Sequence, residues 1–235
     1  MRPPQGGASI LEGLLVPAPV TLIGRAVRLE PLASHHAPAL AEAAAANRDT
    51  YAFTPVPHGE NETREYIAAA AADQAAGTAL PFAIVTAAGR VVGASRFMKL
   101  AYWQGPLVWG ANTGVPPSDP GDAVPDAAEI GNTWLAADAQ GSGINAEAKL
   151  LMLRHAFEVW GVRRVSMRAD IRNLRSRIAI ERLGATCEGI RRCHSRGLDG
   201  AVRNTAFYSV LDEEWPAVRA TIEMLLPAAR PLLSA

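Results

Sequence analysis

The stretch Glu129-Ile-Gly-Asn-Thr-Trp-Leu135, followed by Ala136-Ala-Asp-Ala and Gln140-Gly-Ser-Gly-Ile-Asn145, decides the fold. Apolar residues then recur at helical spacing, so the expected order is strand, glycine loop, helix. The two glycines of the loop let the backbone approach a ligand without a Cβ in the way. The first N–H groups of the helix are unpaired and lie at the positive end of its dipole. The stretch therefore predicts a site for a phosphate or pyrophosphate.

The spacing excludes two common phosphate-binding glycine loops. The pattern Gly-x-x-x-x-Gly-Lys-Ser/Thr of the P-loop is absent, and Gly141-Ser-Gly143 lacks the third glycine of the dinucleotide fingerprint. A Gly-x-Gly pair before a helix is also about as often a simple turn as a phosphate site. The identity of the ligand therefore depends on the rest of the chain.

The residues after the loop predict four further elements. A helix is expected over 144–160, a strand over 164–170, a short helix over 173–184 and a hairpin over 188–211. The glycines at the helix ends are typical stop signals. The loop is thus the start of a regular α/β pattern rather than an isolated turn.

The residues before the loop predict a strand, two helices and a hairpin. The strand covers 21–30, the helices cover 34–46 and 61–76, and the hairpin covers 82–98. The first of these helices is expected to be capped by Ser34. Residues 101–125 are rich in Pro and Gly and predict a long insertion between strands.

The chain is predicted to form one domain. Its 235 residues suffice for one large α/β domain with a substantial core. Residues 21–225 are assigned to this domain, residues 1–20 to a loose N-terminal arm and residues 226–235 to a C-terminal tail.

Taken in order, these motifs resemble those of the GCN5-related N-acetyltransferase (GNAT) superfamily, and in particular its RimJ/RimL-like branch. Gln140 and Gly143 match the family loop Gln/Arg-x-x-Gly-x-Gly/Ala, whereas Asn145 stands where Gly or Ala is usual. Asn173-Leu-Arg-Ser176 also resembles the start of a helix in the family core. The resemblance covers about residues 22–216. It implies an α/β (α+β) fold whose mixed, mostly antiparallel sheet of about seven strands is splayed at the middle and flanked by helices.

The resemblance implies an acetyl-CoA-dependent N-acetyltransferase. An acetyl group would move from acetyl-CoA to a primary amine by direct attack in a ternary complex, and the amine would be a protein N-terminus or a small molecule. A non-catalytic acyl-CoA-binding module and a transferase of another acyl group, such as succinyl, are alternatives. Some members use a tyrosine as the general acid, and residues 177–180 contain no tyrosine. This absence gives some weight to the non-catalytic module.

The resemblance also implies which residues contact the co-substrate. They are Leu135, Ala136, Gln140, Gly141, Ser142, Gly143, Ile144, Asn145, Lys149, Asn173 and Ser176. Backbone groups near Leu135 and Ala136 would pair with the pantetheine arm. Lys149 is interpreted either as a contact to a CoA phosphate or as an exposed helix lysine. Asn173 either contacts the pantetheine arm or caps its helix, and the two roles are compatible.

Two residues are candidates for catalysis. The attacking amine must be neutral, so another group has to accept its proton. The resemblance implies Glu129 as this general base, and the alternative is a carboxylate held in a structural ion pair. Ser176 follows Asn173 by three residues on the same helical face and could donate a hydrogen bond to the departing thiolate. Its alternative is a purely structural role, which is also the interpretation for Tyr208 and His155.

Composition excludes several other classes. Formal net charge is 0, which argues against general nucleic-acid binding. The two cysteines cannot form a disulfide framework or a zinc site, and no histidine spacing predicts a metal. No apolar run is long enough to span a membrane, so no membrane association and a cytoplasmic location are expected. Edge strands in the C-terminal hairpin would permit a homodimer.

Overall fold

The computed structural model describes residues 9–11, 14–103 and 124–226. Most of the predicted insertion, residues 104–123, and nearly all of the predicted tail, residues 227–235, lie outside the described part. In the described part, no helix is long and apolar enough to cross a bilayer.

The described residues form ten strands and five α-helices. The strands are β1 Ser9–Leu11, β2 Leu14–Val16, β3 Leu22–Ile23, β4 Val27–Pro31, β5 Ala79–Thr86, β6 Val91–Ala101, β7 Ala127–Leu135, β8 Arg164–Asp170, β9 Thr186–Arg196 and β10 Val202–Leu211. The helices are α1 Ala37–Ala45, α2 Gly59–Ala75, α3 Ile144–Arg154, α4 Leu174–Arg182 and α5 Trp215–Leu225. Elements of the expected type therefore occur at all the main positions that the sequence predicts.

Eight of the strands form one open sheet in the order β3-β4-β5-β6-β7-β8-β10-β9. All neighbours are antiparallel except β7 and β8, which are parallel. The predicted mixed, mostly antiparallel sheet is confirmed, with eight strands where about seven were expected. Within the arm predicted as loose, β1 and β2 pair as a separate antiparallel ribbon.

The sheet is splayed between β7 and β8. These strands pair at only three positions, Ala127 with Arg164, Ala128 with Val165, and Glu129 with Ser166. Both strands continue beyond that point, β7 to residue 135 and β8 to residue 170. A wedge-shaped cleft therefore opens where the ladder stops, as the sequence resemblance implied.

An aromatic cluster fills the core beneath the middle of the sheet. The rings of Phe97 and Trp160 lie 4.6 Å apart, and Phe82 packs edge-on against Phe97 at 6.1 Å. His155 lies 4.8 Å from Trp160, and burial lowers its pKa to about 4. His155 is thus a neutral core residue, in agreement with its structural interpretation.

Two helix starts differ from the expectation. Ser34 does not cap a helix, because it lies in a short 3-10 turn at Ser34–His36 that precedes α1. Pro38 occupies the first turn of α1, where its fixed φ is favourable and its missing N–H has no cost. Helix α2 begins at Gly59, two residues earlier than predicted.

Candidate active site

The cleft between β7 and β8 has a volume of about 340 Å³. Its walls come from both strands, from the loop before α3, from α4 and from the segment around Tyr51. Of the predicted site residues, the cleft brings together Glu129, Leu135, Gln140, Gly141, Asn145, Lys149, Asn173 and Ser176. Ala136, Ser142, Gly143 and Ile144 lie in the adjoining loop and helix start rather than in the wall of the cleft.

The glycine loop has the backbone that a close approach to an anion requires. Gly141 and Gly143 have φ of 75° and 88°, in the left-handed region that favours glycine. A Cβ built on Gly141 would meet no heavy atom within 4 Å, so the loop faces open space there. The Ser142 hydroxyl donates to the carbonyl of Ala139 at 2.6 Å and holds the turn. Gly143 is the N-cap of α3, so the free N–H groups of the helix start at the loop.

Gln140 connects the loop to two other elements. Its Nε2 donates to the carbonyl of Leu135 at 3.0 Å and to the Thr50 hydroxyl at 3.2 Å. Arg175, on α4, donates to Gln140 Oε1 and to the Thr50 carbonyl. The end of β7 and the start of α4 are therefore joined through one amide side chain and one guanidinium, and Arg175 adds a positive charge beside the loop.

Two backbone groups of Leu135 and Ala136 already form hydrogen bonds within the protein. The carbonyl of Leu135 accepts from the Tyr51 hydroxyl at 2.9 Å as well as from Gln140. The N–H of Ala136 donates to Val92 at 2.7 Å. The predicted pairing of these groups with a pantetheine arm stays a prediction, and those two backbone groups are not free for it.

A β-bulge shapes the wall formed by β7. Residues 131 and 134 pair with Arg96 and Ala94, so β7 has one residue more than β6 between these pairs. Asn132, within this bulge, has φ of 49°, a left-handed conformation that is uncommon for a non-glycine residue. With its amide turned to accept, Asn132 lies 2.7 Å from Arg96 Nη2. Arg96 is buried and also donates to Asp73 at 2.7 Å, which ties the bulge to α2.

Lys149 supports the same bulge from α3. It is only 5% exposed, and its Nζ donates to the Thr133 hydroxyl at 2.6 Å and to Ser95 at 3.1 Å. Burial lowers its pKa to about 7. The alternative of an exposed helix lysine is therefore wrong, because the side chain points into the protein. These contacts indicate that Lys149 supports the bulge. Its predicted contact with a CoA phosphate stays a prediction.

Asn173 and Ser176 lie at the start of α4, on the β8 side of the cleft. The Asn173 Oδ1 accepts from the Ser176 N–H at 3.1 Å, so the capping interpretation of Asn173 agrees with the structure. Ser176 is half-buried and lines the cleft. Tyr208 is fully buried and donates to Glu181 at 2.7 Å, which is consistent with a structural role.

Glu129 lies at the apex of the wedge, where β7 and β8 separate. It is 4% exposed, and its carboxylate forms ion pairs with Arg168 Nε at 2.8 Å and Lys99 Nζ at 3.2 Å. The structural ion pair that was the alternative to a base is therefore present. The carboxylate also lines the cleft, so the two roles are geometrically compatible.

Three site residues were not recognised in the sequence. Arg175 was visible as the variable residue within the motif Asn173-Leu-Arg-Ser176. Arg168 and Arg203 line the cleft from β8 and β10. No local pattern marks these two residues, because they reach the cleft only through the pairing of strands distant in sequence.

One group of possible metal ligands occurs in the described residues, away from the cleft. The ligand atoms of Glu30, His35 and His36 all lie within 4.8 Å of one another. Glu30 accepts from Arg28 and from His36 Nε2, and the hydrogen bond from Arg28 lowers its pKa. Glu30 and His36 are thus already hydrogen-bonded within the protein.

Comparison with known proteins gives matches over most of the chain. The family model of the acetyltransferase (GNAT) domain matches residues 26–186. YdaF of Bacillus subtilis (strain 168), provisionally named a ribosomal N-acetyltransferase, is 35% identical over 94 residues, which are 40% of this chain and 50% of YdaF. This match therefore spans only about half the length of that curated relative.

Solved structures share the fold. A provisionally assigned acetyltransferase of T. thermophilus is 34% identical, with 89% of this chain and 98% of that chain covered and a TM-score of 0.69. RimJ of Mycobacterium smegmatis, in complex with CoA-disulfide, is 22% identical, with 88% and 94% covered and a TM-score of 0.70. The similarity to YdaF agrees with the RimJ/RimL-like branch. The chain belongs to the GNAT family of acetyltransferases, whose members use acetyl-CoA.

Proposed function

We propose that this protein transfers an acetyl group from acetyl-CoA to a primary amine, which attacks the thioester directly in a ternary complex. The observation that carries the proposal is the wedge between β7 and β8. The glycine loop before α3 lies at its open end and the Glu129 carboxylate lies at its apex. Family membership supports the same reaction class.

At the open end, the loop from Gln140 to Asn145 would hold the pyrophosphate of CoA. Free N–H groups of the first turn of α3 and the Arg175 guanidinium provide positive charge where the diphosphate is negative. The left-handed glycines keep side chains out of the approach. The rest of the arm would extend between β7 and β8, past Leu135 and Asn173.

At the apex, Glu129 would accept the amine proton, directly or through one water molecule. Arg168 and Lys99 fix the carboxylate, so its position does not depend on the substrate. The Ser176 hydroxyl, at the first turn of α4, would donate to the departing thiolate. Binding both reactants in one cleft converts a bimolecular attack into an effectively unimolecular one.

A protein N-terminus is the acceptor that the comparisons favour. The name of YdaF places it provisionally among ribosomal N-acetyltransferases. We therefore include the N-terminal amine of a peptide or protein in the proposal.

A non-catalytic acyl-CoA-binding module is the second candidate. Arg177 to Ile180 contain no tyrosine, and Tyr208 is already bonded to Glu181 and Arg177. Tyr51, which lines the described cleft, already donates its hydroxyl to the Leu135 carbonyl at 2.9 Å. Each of these phenols is thus engaged within the protein, which is the observation that favours this candidate. A thiolate is a good leaving group, so the proposed reaction does not require a phenol as general acid.

Calorimetry with acetyl-CoA and with free CoA tests the first step, with NADH and ATP as controls. We expect selective binding of the two CoA species. Release of free thiol in the presence of an amine then tests turnover. CoA binding without thiol release from any amine would support the module, and a folded protein that binds no CoA would overturn both candidates.

A further inference from the structure

The apex of the cleft contains more positive than negative side chains. Glu129 is the carboxylate there, and Arg168 and Lys99 both pair with it. One negative charge therefore faces two positive charges before any other residue is counted. The excess has to be balanced by solvent or by a bound anion.

Arg203 adds a third positive charge to the cleft wall, farther along the cleft, because its neighbour Thr205 pairs with Asp170 at the end of β8. It comes from β10, is half-buried and lines the cleft. Its Nε donates to the Thr205 hydroxyl at 3.1 Å, and no carboxylate of the described residues forms an ion pair with it. A half-buried guanidinium without a carboxylate partner is costly unless a ligand supplies one.

Asp170, the nearest other carboxylate in the cleft wall, is already paired. It accepts from Arg172 Nη2 at 2.8 Å, and that hydrogen bond lowers its pKa. Arg172 in turn pairs with Asp199 at 2.6 Å. Asp170 therefore acts on Arg203 only at longer range.

The positive charges are close enough to act on one another. Burial lowers the pKa of Arg203 from its ordinary value. Asp170, the strongest of the charges acting on it, and Glu129 raise that pKa, whereas Arg168 and Arg172 lower it. His194, bonded through its Nδ1 to the Thr205 hydroxyl at 2.9 Å, also has a lowered pKa. Burial is the main cause there, and Arg191 is the strongest of several positive charges that add to it.

We propose that the acceptor carries a carboxylate in addition to its reacting amine, and that Arg203 binds that carboxylate. The inference rests on the proposed function and specifies its acceptor. A guanidinium binds a planar carboxylate through two parallel hydrogen bonds. A hydrated ion from the solvent does not reproduce this geometry. With the amine at Glu129 and the carboxylate at Arg203, the acceptor is held at both ends.

Two kinds of acceptor contain this chemistry. One is a peptide N-terminus followed by an acidic residue, and the other is a free amino acid with its own α-carboxylate. A set of peptides with serine first and aspartate, asparagine or lysine second separates charge from size. Free serine and free aspartate form the second arm of the same assay of thiol release.

For the wild type we expect the Asp peptide to have a KM about tenfold below that of the Asn peptide, with the Lys peptide poorer still. This advantage should shrink as salt is added, because it is electrostatic. If free amino acids react and the peptides do not, the carboxylate is the α-carboxylate. Equal KM for the Asp, Asn and Lys peptides, together with inactive free amino acids, would overturn the proposal.

Arg203→Gln keeps a hydrogen-bond donor near Thr205 and removes the charge. It should raise the KM of the preferred acidic acceptor about tenfold and leave the KM of acetyl-CoA unchanged. Arg192→Gln, at an exposed position of β9 outside the cleft, is the matched control and should change neither value. An unchanged preference in Arg203→Gln would overturn the assignment of this residue.

Arg203→Glu gives a second readout that loss of structure cannot imitate. It should reverse the order of the Asp and Lys peptides while thermal stability and acetyl-CoA affinity stay near those of the wild type. Failure of the underlying function looks different, since the wild type would then release no thiol with any acceptor. The acceptor inference and the acetyltransferase proposal are thus tested separately.

Discussion

The two ends of the cleft are built in different ways. The open end is mainly backbone, from consecutive residues between Leu135 and Asn145, with glycines that expose N–H groups. The other end is made of side chains, with Glu129 and Arg168 at the apex and Arg203 farther along the wall, and these come from three strands far apart in the sequence. An anion site of the first kind is visible in a short motif, whereas a site of the second kind is created by strand pairing.

The two ends are also expected to have different functions, with donor binding at the loop and acceptor selection by the charged side chains. In the proposed function the backbone N–H groups bind the diphosphate that all acyl-CoA donors share, so the loop has no reason to select an acceptor. Charged side chains can vary one by one, so the end that they line is where acceptor preference is expected to reside. Variants at either end should therefore change different kinetic constants.

The largest effect is expected at the open end, from Gly141→Asp. The new carboxylate would lie in the approach of the diphosphate, and we expect the affinity for CoA to fall at least about 100-fold, or about 2.7 kcal/mol. Gly200→Asp is the matched control, because Gly200 has φ of 74°, against 75° for Gly141, and equally open space around a Cβ. Equal CoA affinity of the two variants in calorimetry would refute the loop assignment.

At the apex, Glu129→Gln should lower kcat about 100-fold and change acetyl-CoA affinity little. The reason is the loss of the proton acceptor, so the pH dependence of kcat should change along with its size. A thermal melt of the variant shows whether losing the ion pairs with Arg168 and Lys99 also lowers its stability, so that this effect can be separated from the loss of the proton acceptor. Full turnover across the pH range would show that Glu129 is not the base.

Between the two ends, Ser176→Ala should lower kcat about tenfold, because one hydrogen bond to the departing thiolate is worth about 1.4 kcal/mol. Helix α4 should remain capped, since it is the Ser176 N–H and not the hydroxyl that bonds Asn173. Stability and CoA affinity should therefore match the wild type. Unchanged kcat would leave Ser176 with a structural role only.

The smallest effect on turnover is expected from Lys149→Met, which instead changes stability. Burial holds the pKa of Lys149 at about 7, below the ordinary value of 10.5, so between these pH values the unfolded chain binds a proton that the folded chain does not. The wild type should gain a few kcal/mol of unfolding free energy as pH rises from about 7 to 10, and lose it as pH falls back.

In Lys149→Met that rise should disappear in denaturant titrations at pH 7, 8, 9 and 10. Lys99→Met is the control, because Lys99 is the only other lysine of the chain and is half-exposed. It should keep the slope of the wild type. A slope that persists in Lys149→Met would mean that another group titrates in this range.

The fold was largely predictable because its signals are local. The alternation of apolar residues, the glycine stops and the loop motif predicted the strands and helices, and the family resemblance implied the sheet type. The two-residue shift of α2 and the 3-10 turn before α1 were missed, because Pro38 and the backbone of the first turn decide those starts. The β1–β2 ribbon was also missed, since three-residue strands have too few residues for a period.

The loop end of the site was predictable, whereas at the apex only Glu129 was named in advance. Gln140 and Gly141 line the cleft as the loop motif implied, but Arg203 has no neighbour in sequence that marks it. Lys149 shows a further limit, because a lysine in a helix that follows a phosphate loop is expected to be exposed. Its buried ammonium group donates to the Ser95 and Thr133 hydroxyls, which come from two other strands. No local sequence pattern predicts these contacts.

The bulge at Asn132 has a consequence for evolution. A left-handed non-glycine residue costs about 1–2 kcal/mol, and here the contacts of Arg96 on one side of β7 and Lys149 on the other maintain it. A glycine at this position would relieve the strain and would also remove the side chain that Arg96 binds. At position 132, glycine would favour the backbone conformation, whereas asparagine keeps the contact with Arg96 that shapes the cleft wall.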